Sequence, residues 1–523
     1  SIFLALTLSL PILGLILAAL LGQPSPIGSE GIVSGSTLTH LWNYVLTDYI
    51  VTTLLLCFGV GIGVFILGVG NAWLIANYQF PGKAIFEWAL ILPLAVPAYV
   101  MAYLFVDFLQ HAGPVQTMLR ENLGLTLSLP DPRSLGGAVW TFTMCLYPYV
   151  YLVARTSFLD RSARFMEVAE TLGYTSVEAF IKLVLPMARP AIFTGIALAL
   201  MEAVADYGAM SYFGVQTMTT GIYRAWLGMG DRIAAVQLSA VLLGVIFLLL
   251  MLEHVSRRQM RFATSGQRFR QIKPWRLQGK KAFWASMACA MPMLFGFVLP
   301  VAIMAYLALS NGDGFQPRYW GWLVNTLWLS TLTAMCAVIL AVWLAYSARI
   351  TKGIWQTMAN RMVSLGYAVP GAVLAVGILI LLAQLDIAWL LSGSVAILVY
   401  AYLTRFLSSG LQTVEAGLSK ITPNMDASAM SLGSGRWELL RRIHLPLLRR
   451  SLLTAGLLVF VDVMKELPAT LVLRPFNFDT LAVVTYQLAA DERLAEAAWP
   501  ALTIVLAGLI PVILLSRAMS RDK

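Results

Sequence analysis

Two pairs of acidic residues lie within apolar stretches of the sequence and repeat at a fixed distance. Glu202 and Asp206 form the first pair, and Asp462 and Glu466 stand 260 positions later. Because four residues return a helix to about the same face, both carboxylates of a pair are expected to share one helical face. An ionised side chain at the centre of a membrane costs roughly 3 kcal/mol, so such residues are usually functional. Carboxylate oxygens suit hard metal cations, and the pairs are therefore candidates for lining a cation pathway.

A second interpretation of these acids is local. If they lie at the ends of membrane spans, they contact water or are neutralised by nearby cations, for which Lys465 and Arg474 are the candidates in the sequence. The span boundaries inferred from sequence are uncertain by several residues, so both interpretations stay open.

The composition indicates a protein that crosses a membrane several times. Hydrophobic residues make up 59% of the 523 residues and charged residues 12%, against about a quarter in soluble domains. The four cysteines stand singly in apolar runs, and the four histidines are scattered, so neither a disulfide framework nor a metal site is indicated. No GxxxxGK[ST] nucleotide loop occurs. The glycines between Gly59 and Gly70 are interpreted as helix-packing positions.

We predict an all-α polytopic membrane protein with about twelve transmembrane helices, six in each half of the chain. The predicted spans are 2–21, 49–76, 87–109, 136–154, 190–212, 233–252, 283–309, 323–348, 363–385, 393–412, 451–473 and 494–515.

The first predicted span is interpreted as a membrane helix and not as a cleaved signal peptide. It is long, lacks a basic segment before it, and its Leu10-Pro11 resembles Met291-Pro292 at the start of the second half. Because the chain starts at Ser1, we expect an initiator and a short basic tail to precede it.

The positions of the basic residues predict the orientation. With both termini on the cytoplasmic side, the cytoplasmic segments hold most of the 36 lysine and arginine residues. Nine of these fall in 254–281 without any acidic residue, which favours contact with anionic lipid headgroups over a nucleic-acid role.

A polar segment recurs once in each half. Glu167–Gly173 followed by Leu185-Pro186 returns as Ala427–Gly433 followed by Leu445-Pro446, again at an offset of 260. We call 167–186 the first island and 427–446, with the adjoining Asp426, the second island. The repeat predicts a first half at 1–253, a basic linker at 254–282 and a second half at 283–523. Six spans per half make the two repeats parallel, related by an axis along the membrane normal, with a pathway between them.

Each island is expected to form a helix–turn–helix on the cytoplasmic surface. In the first island, Gly173 permits the turn, Val177–Leu185 forms the second helix, and Pro186 ends it. A single copy would favour an ordinary amphipathic surface loop. Two copies with the same spacing favour a pair of equivalent docking elements.

The islands resemble the "EAA" coupling loops of permease subunits in bacterial ABC importers, whose pattern is E-A-A-x3-G-x9-I-x-L-P. The positions that carry the resemblance are Glu167, Ala169, Gly173, Leu185 and Pro186 in the first island and Ala429, Gly433, Ile443, Leu445 and Pro446 in the second. Ala427 occupies the glutamate position of the second island, and Asp426 precedes it. In that family the loops seat on the ATPase subunits, and the resemblance implies the same role here.

The segments 202–208 and 462–479 resemble the fused, two-half permeases of ferric-iron importers. This resemblance implies a type I ABC importer permease in the bacterial inner membrane that carries ferric iron and is not itself an enzyme. The implied partners are a homodimeric ABC ATPase, which binds ATP and Mg²⁺, and a periplasmic iron-binding protein; no cofactor is implied in this chain.

Three alternatives stay open. The first is an ABC permease for thiamine, phosphonate or another small solute. The second is a secondary transporter that works without an ATPase, and the third is a membrane scaffold without a transport role.

Overall fold

The computed structural model describes residues 2–21, 42–123, 130–171, 174–258, 275–310, 317–351, 353–383 and 393–521. The α-helices within these ranges are α1 (Ile2–Leu21), α2 (Thr47–Asn77), α3 (Lys83–Ala89), α4 (Ala98–Leu109), α5 (Pro114–Leu123), α6 (Leu135–Thr171), α7 (Ser176–Ala179), α8 (Leu185–Ala205), α9 (Gly208–Phe213), α10 (Met218–Tyr223), α11 (Arg232–Arg258), α12 (Gly279–Met293), α13 (Leu299–Ser310), α14 (Pro317–Thr351), α15 (Ile354–Leu365), α16 (Gly371–Ala383), α17 (Val395–Ser419), α18 (Pro423–Ser431), α19 (Arg436–Leu439), α20 (Leu445–Met464), α21 (Pro468–Leu473), α22 (Leu481–Ala490) and α23 (Leu494–Arg521).

Shorter elements join or extend these helices. Five π-helical segments are found at Trp42–Leu46, Phe180–Val184, Arg224–Gly228, Leu294–Val298 and Leu440–His444, and two 3₁₀ turns at Leu92–Ala95 and Gly366–Ala368. The strands β1 (Tyr78–Gln79) and β2 (Trp275–Arg276) pair in parallel, so the end of the basic linker is attached to the turn after α2.

The predicted fold class, an all-α polytopic membrane protein, is confirmed. Among the described residues, eight helices are long and apolar enough to cross a membrane, and the number rises to ten if each of two bent helix pairs is one span. The helices α17 and α20 occupy two further predicted positions but are more polar. The segment 110–135, between two of the predicted spans, contains α5, and its residues 124–129 lie outside the described part of the chain.

The predicted spans 87–109 and 363–385 are each a bent pair of helices and not one straight helix. The chain bends by 93° between the 3₁₀ turn at Leu92–Ala95 and α4, and by 115° between the turn at Gly366–Ala368 and α16. Each bend contains a Val-Pro dipeptide, Val96-Pro97 or Val369-Pro370. A proline disfavours the helical conformation of the residue before it, and Val96 and Val369 are extended, with ψ of 118° and 123°.

The order of helices follows the repeat read from the sequence. The segment α7 to the π-helix at Phe180–Val184 returns 260 positions later as α19 and the π-helix at Leu440–His444, with the same bounds. α9 and α21 also share this offset. The single helix α6 corresponds to α17 and α18 together, which are separated at 420–422.

The chain forms two compact units, and both draw on the two sequence halves. One unit comprises Ser1–Trp42, Ile222–Val241 and Asp313–Lys523, and the other Asn43–Gly221 and Leu242–Gly312. The N-terminal helix therefore belongs to the unit built mainly from the second half. The sequence boundaries at 253 and 283 describe the repeat, and they stay a prediction.

Small residues let the helices of each unit approach closely. A Cβ atom on Gly63 would lie 2.3 Å from Thr143 Oγ1, and one on Gly68 would lie 2.6 Å from Val150 Cβ, so α2 contacts α6 through its glycines. This geometry agrees with the interpretation of Gly59–Gly70 as packing positions. In the other unit, a Cβ atom on Gly377 of α16 would lie 2.4 Å from the carbonyl oxygen of Pro11 in α1.

This contact predicts different effects on the free energy of unfolding for alanine substitutions at two helical glycines. Gly377→Ala is expected to destabilise the protein by about 1–3 kcal/mol, because the added methyl group collides with the backbone of α1. Gly14→Ala, in α1 itself, has no atom within 4 Å of the new Cβ and should be neutral or stabilising by up to about 1 kcal/mol. Thermal unfolding of the purified full chain in detergent measures both. Equal melting temperatures for the two variants would contradict the close packing of α1 on α16.

Candidate docking site

The second island is a short helix, a tight turn and a second helix. α18 ends in a Schellman motif, in which the N–H of Gly433 donates to the carbonyl of Met430 (3.0 Å) and that of Ser434 to Ala429 (3.1 Å). Gly433 has φ of 85°, a conformation that favours glycine, and a Cβ atom there would meet nothing within 4 Å. Gly433 is therefore required by backbone conformation and not by lack of space.

In both islands the second helix begins with an α-turn, widens into a π-helix and continues into a long helix. The N–H of Leu185 donates to the carbonyl of Phe180, and the N–H of Leu445 donates to that of Leu440, each five residues back. The expectation that Pro186 ends its helix was wrong. It stands in the first turn of α8, as Pro446 does in α20, where a wide turn accommodates a residue that lacks an N–H group.

Asp426 fixes the second island to the end of α14. Its carboxylate accepts hydrogen bonds from Arg349 Nε (2.7 Å) and from His444 Nε2 (2.8 Å), and His444 is fully buried. Arg349 also donates to the carbonyls of Leu418 and Ile421, at 2.7 and 2.8 Å, which closes the C-terminal end of α17. Asp426 therefore holds the island in place from inside.

The charge state of Asp426 follows from these contacts. Burial alone would raise the pKa of Asp426, but the hydrogen bonds from Arg349 and His444 outweigh it and hold the pKa below its usual value. The carboxylate is therefore ionised at neutral pH, and its charge is balanced within the protein. It does not project to the surface in the way that a glutamate at the position of Ala427 would, since Ala427 itself is exposed.

The first island has a different internal structure. Thr175 and Glu178 form a capping box, in which the Thr175 N–H donates to Glu178 Oε2 (3.0 Å) and the Glu178 N–H to Thr175 Oγ1 (3.4 Å). The Thr175 N–H and hydroxyl, followed by Lys182, lower the pKa of Glu178. The spacing Thr-x-x-Glu is a sequence signal for a capping box, although no cap was predicted at this position.

Aromatic rings hold the first island where charged groups hold the second. Trp73 of α2 lies 4.6 Å from Phe180 and 5.7 Å from Phe158, measured between ring centroids. In the first half, Ala76 stands 273 positions before Arg349, and Val184 stands 260 positions before His444. Both of these corresponding residues are apolar. Glu167 and Ala169 lie on the α6 backbone, with side chains outside the described part, and Gly173 lies outside the described residues altogether.

The second island exposes an apolar surface to solvent. Leu432 is 86% exposed, Trp437 69% and Met430 54%. Ala429 is buried beneath them, Ile443 and Leu445 are half-buried, and Pro446 is exposed. A cluster of large exposed apolar side chains on a polar segment marks a protein interface.

A polar contact links each bent helix pair to the helix that precedes its island. Arg155 of α6 pairs with Glu87 of α3, and Asn360 of α15 donates to Glu415 of α17 (2.7 Å). The two contacts occupy corresponding positions of the repeat. Arg155 and Glu415 stand 260 positions apart, and Glu87 and Asn360 stand 273 apart, as Val96-Pro97 and Val369-Pro370 do. These contacts connect each bent helix pair to the helix that leads into an island.

The four acids named from the sequence do not form two equivalent i, i+4 pairs on one helical face. α8 ends at Ala205 and α20 at Met464, so Asp206 and Glu466 lie beyond the helix ends. Each accepts a hydrogen bond from a backbone N–H three residues on: Asp206 Oδ1 from Ala209 (2.7 Å) and Glu466 Oε1 from Ala469 (2.9 Å). They cap α9 and α21, because a helix start buried among apolar groups needs an acceptor for its free N–H groups.

The charges of the second pair are balanced locally. Glu466 is buried and accepts a hydrogen bond from Arg405 NH1 at 2.7 Å, and Asp462 pairs with Lys465 at 3.1 Å. Arg474, expected as a partner, contacts Asp479 instead. Glu202 is half-buried on α8, and no hydrogen bond or ion pair to it is found among the described residues. Within the same residues, no group of three or more His, Cys, Asp or Glu side chains could hold a metal ion.

The turn at Gly433 generates a prediction with a matched control. Gly433→Ala should destabilise the turn of the second island by about 1–2 kcal/mol, because an L-residue is strained at this φ. Gly435→Ala adds the same methyl group two residues later, where φ is −70° and the new Cβ has nothing within 4 Å. The melting temperature of the purified full chain in detergent should fall in the first variant and stay unchanged in the second. Equal melting temperatures of both would show that an L-residue is not strained at the turn.

Part of the chain matches a described protein family. Residues 65–261 match a family described as the inner membrane component of binding-protein-dependent transport systems. The matched residues include the whole first island.

Individual relatives extend the similarity beyond that segment. The chain is 28% identical to the Fe(3+)-transport system permease protein FbpB 2 of Haemophilus influenzae. The aligned region is 487 residues long and covers 90% of each protein. It is 24% identical to a putative ferric transport system permease protein, FbpB 1, of the same organism, over 73% of this chain and 63% of the relative. A putative 2-aminoethylphosphonate transport system permease protein of Salmonella typhimurium is 27% identical over 45% of this chain and 92% of its own length.

Proposed function

We propose that the chain is an inner-membrane permease component of the binding-protein-dependent transport family and, within it, the transmembrane subunit of an ATP-driven ferric-iron importer. The observation that carries the coupling role is the second island, whose apolar surface is exposed while Asp426 anchors it from beneath. The observation that favours iron is the similarity to a ferric-iron permease across 90% of both chains.

The islands are proposed as the seats of the ATPase subunits. Closure of an ATPase pair would push on the exposed surface around Leu432 and Trp437. Since Asp426 ties this surface to Arg349 at the end of α14, the push would reach a membrane-spanning helix. Asn360 and Glu415 would pass it on to the bent helix pair in the same unit.

The number of islands bears on the composition of the complex. One chain carries two islands, and an ATPase dimer offers two equivalent seats, so one copy of this protein suffices for a homodimeric ATPase. The 2-aminoethylphosphonate permease relative of Salmonella typhimurium aligns over 92% of its own length with only 45% of this chain. This coverage supports the idea that each half corresponds to one separate permease. The periplasmic partner is proposed to be an iron-binding protein, and both termini are placed on the cytoplasmic side.

Among the four acids, Glu202 is the one proposed to act on the substrate. Asp206, Asp462 and Glu466 each have a local structural partner, whereas Glu202 is half-buried without one among the described residues. An import role for 2-aminoethylphosphonate or another small solute is the second candidate, favoured by the relative from Salmonella.

The first test of this proposal concerns stoichiometry. Native mass measurement of the purified complex is expected to give one copy of this chain for two ATPase subunits. Two copies of the chain per ATPase pair would be incompatible with two islands that serve one dimer.

The second test concerns the substrate. In proteoliposomes, ATP hydrolysis should rise with a ferric-iron-loaded binding protein and not with the same protein free of iron. Glu202→Gln should lower iron uptake while leaving assembly with the ATPase intact, because only a group on the pathway is removed. Asp462→Asn is the control, since its charge is balanced by Lys465. Stimulation by a phosphonate-binding protein alone would establish the second candidate instead.

A further inference from the structure

A cavity of about 880 Å³ lies beside the first island, within the unit formed by Asn43–Gly221 and Leu242–Gly312. Its wall is rich in aromatic rings, with Trp73 from the last turns of α2, Tyr78 from β1, Trp275 from β2 and Trp284 from α12. The rings of Tyr78 and Trp275 lie 5.9 Å apart across the strand pair. The short strands therefore close one side of the cavity.

The cavity stands where two candidate membrane spans end. The span Tyr44–Asn77 finishes just before β1, and the span Gly279–Ser310 starts just after β2. Tryptophan and tyrosine concentrate at the boundary between hydrocarbon and headgroups, and cations flank it on the cytoplasmic side. The aromatic wall thus places the cavity at the level of lipid headgroups.

The mouth of the cavity is positively charged. Lys280 and Lys281, in the first turn of α12, line it and are exposed. Among the described residues, no carboxylate belongs to the wall, and neither lysine has a hydrogen-bond or ion-pair partner. The start of α12 adds the positive end of a helix dipole to the two ammonium groups.

The opposite end of the cavity is apolar. Ala285 and Ala288 line it with small side chains, next to Trp284. From Lys280 to Ala288 the helix rises roughly 12 Å, at about 1.5 Å per residue. The cavity therefore extends from a cationic mouth along the membrane-spanning part of α12.

We propose that this cavity binds an anionic phospholipid, with its phosphate against Lys280 and Lys281 and part of an acyl chain along Trp284 and Ala288. A free phosphate or nucleotide would use the cationic mouth but would leave the apolar end unfilled. A zwitterionic lipid would fill the apolar end but gain less from the two lysines. Only an anionic phospholipid matches both ends.

The bound lipid would contact the parts that hold the first island. Thr175, which begins the capping box, lines the cavity, and Trp73 also lines it while its ring packs against Phe180 of the π-helical segment. Occupancy is therefore expected to fix the position of the first island. This consequence rests on the docking role proposed above, whereas lipid binding itself does not.

Lipid binding is tested on the purified full chain by native mass spectrometry after exchange into detergent with phosphatidylglycerol or with phosphatidylcholine of the same acyl chains. Phosphatidylglycerol should be retained and phosphatidylcholine should not. In Lys280→Gln/Lys281→Gln, retention should weaken roughly 30-fold, about 5-fold for each lysine near an anionic headgroup. Ala288→Trp keeps both charges but fills the apolar end, and it should abolish retention as well.

The matched control is Arg449→Gln/Arg450→Gln, which removes two exposed charges from α20 and should retain phosphatidylglycerol like the unaltered protein. Equal retention of both lipids, or retention unaffected by either cavity variant, would overturn the proposal. Displacement of the lipid by millimolar inorganic phosphate would overturn it in favour of a soluble anion. Loss of retention with unchanged ATP hydrolysis in the reconstituted complex would keep the site and overturn its link to the first island.

Discussion

Backbone N–H and carbonyl groups must find partners inside the protein wherever the chain lies in hydrocarbon, and this constraint governs the structure. Each interruption of a helix creates free backbone groups that water cannot reach. Asp206 and Glu466 answer this need at the starts of α9 and α21. The charge of Glu466 in turn requires Arg405, and a Cβ atom on Gly371 would lie 2.6 Å from Glu466 Oε1, so α16 can begin beside this ion pair only with a glycine.

The second helices of the two islands have the same bounds, and different interactions surround them. Trp73 and its neighbouring rings hold the first island by apolar contact, which depends on shape and area. The second depends on Asp426, which accepts hydrogen bonds from Arg349 and from the buried His444, so removing Asp426 would leave the buried ring nitrogen Nε2 of His444 without this partner. Elements with the same bounds are therefore held by different interior chemistry in the two halves.

The sequence was informative where one residue type in one register decides the structure. Composition and span lengths were enough for the helical membrane fold, and the repeated Gly433 and Leu445-Pro446 spacing located the second island. It was uninformative where a partner is distant along the chain: Arg405 lies 61 residues from Glu466, and Arg349 lies 77 from Asp426. The acids were read as faces of continuous helices because hydropathy does not report a helix break inside an apolar run. The proline bends were overlooked for the same reason, although Val96-Pro97 and Val369-Pro370 carried the signal.

The π-helical segments at Phe180–Val184 and Leu440–His444 also set an angular relation. One extra residue in a turn rotates everything beyond it by about 100° around the helix axis, since an α-helix has about 3.6 residues per turn. The wide turn thus sets the angle around the helix axis between α7 and the face of α8 that carries Glu202. The π-helical segment has the same place in both halves, so α8 and α20 each leave their island with the same rotation about the helix axis.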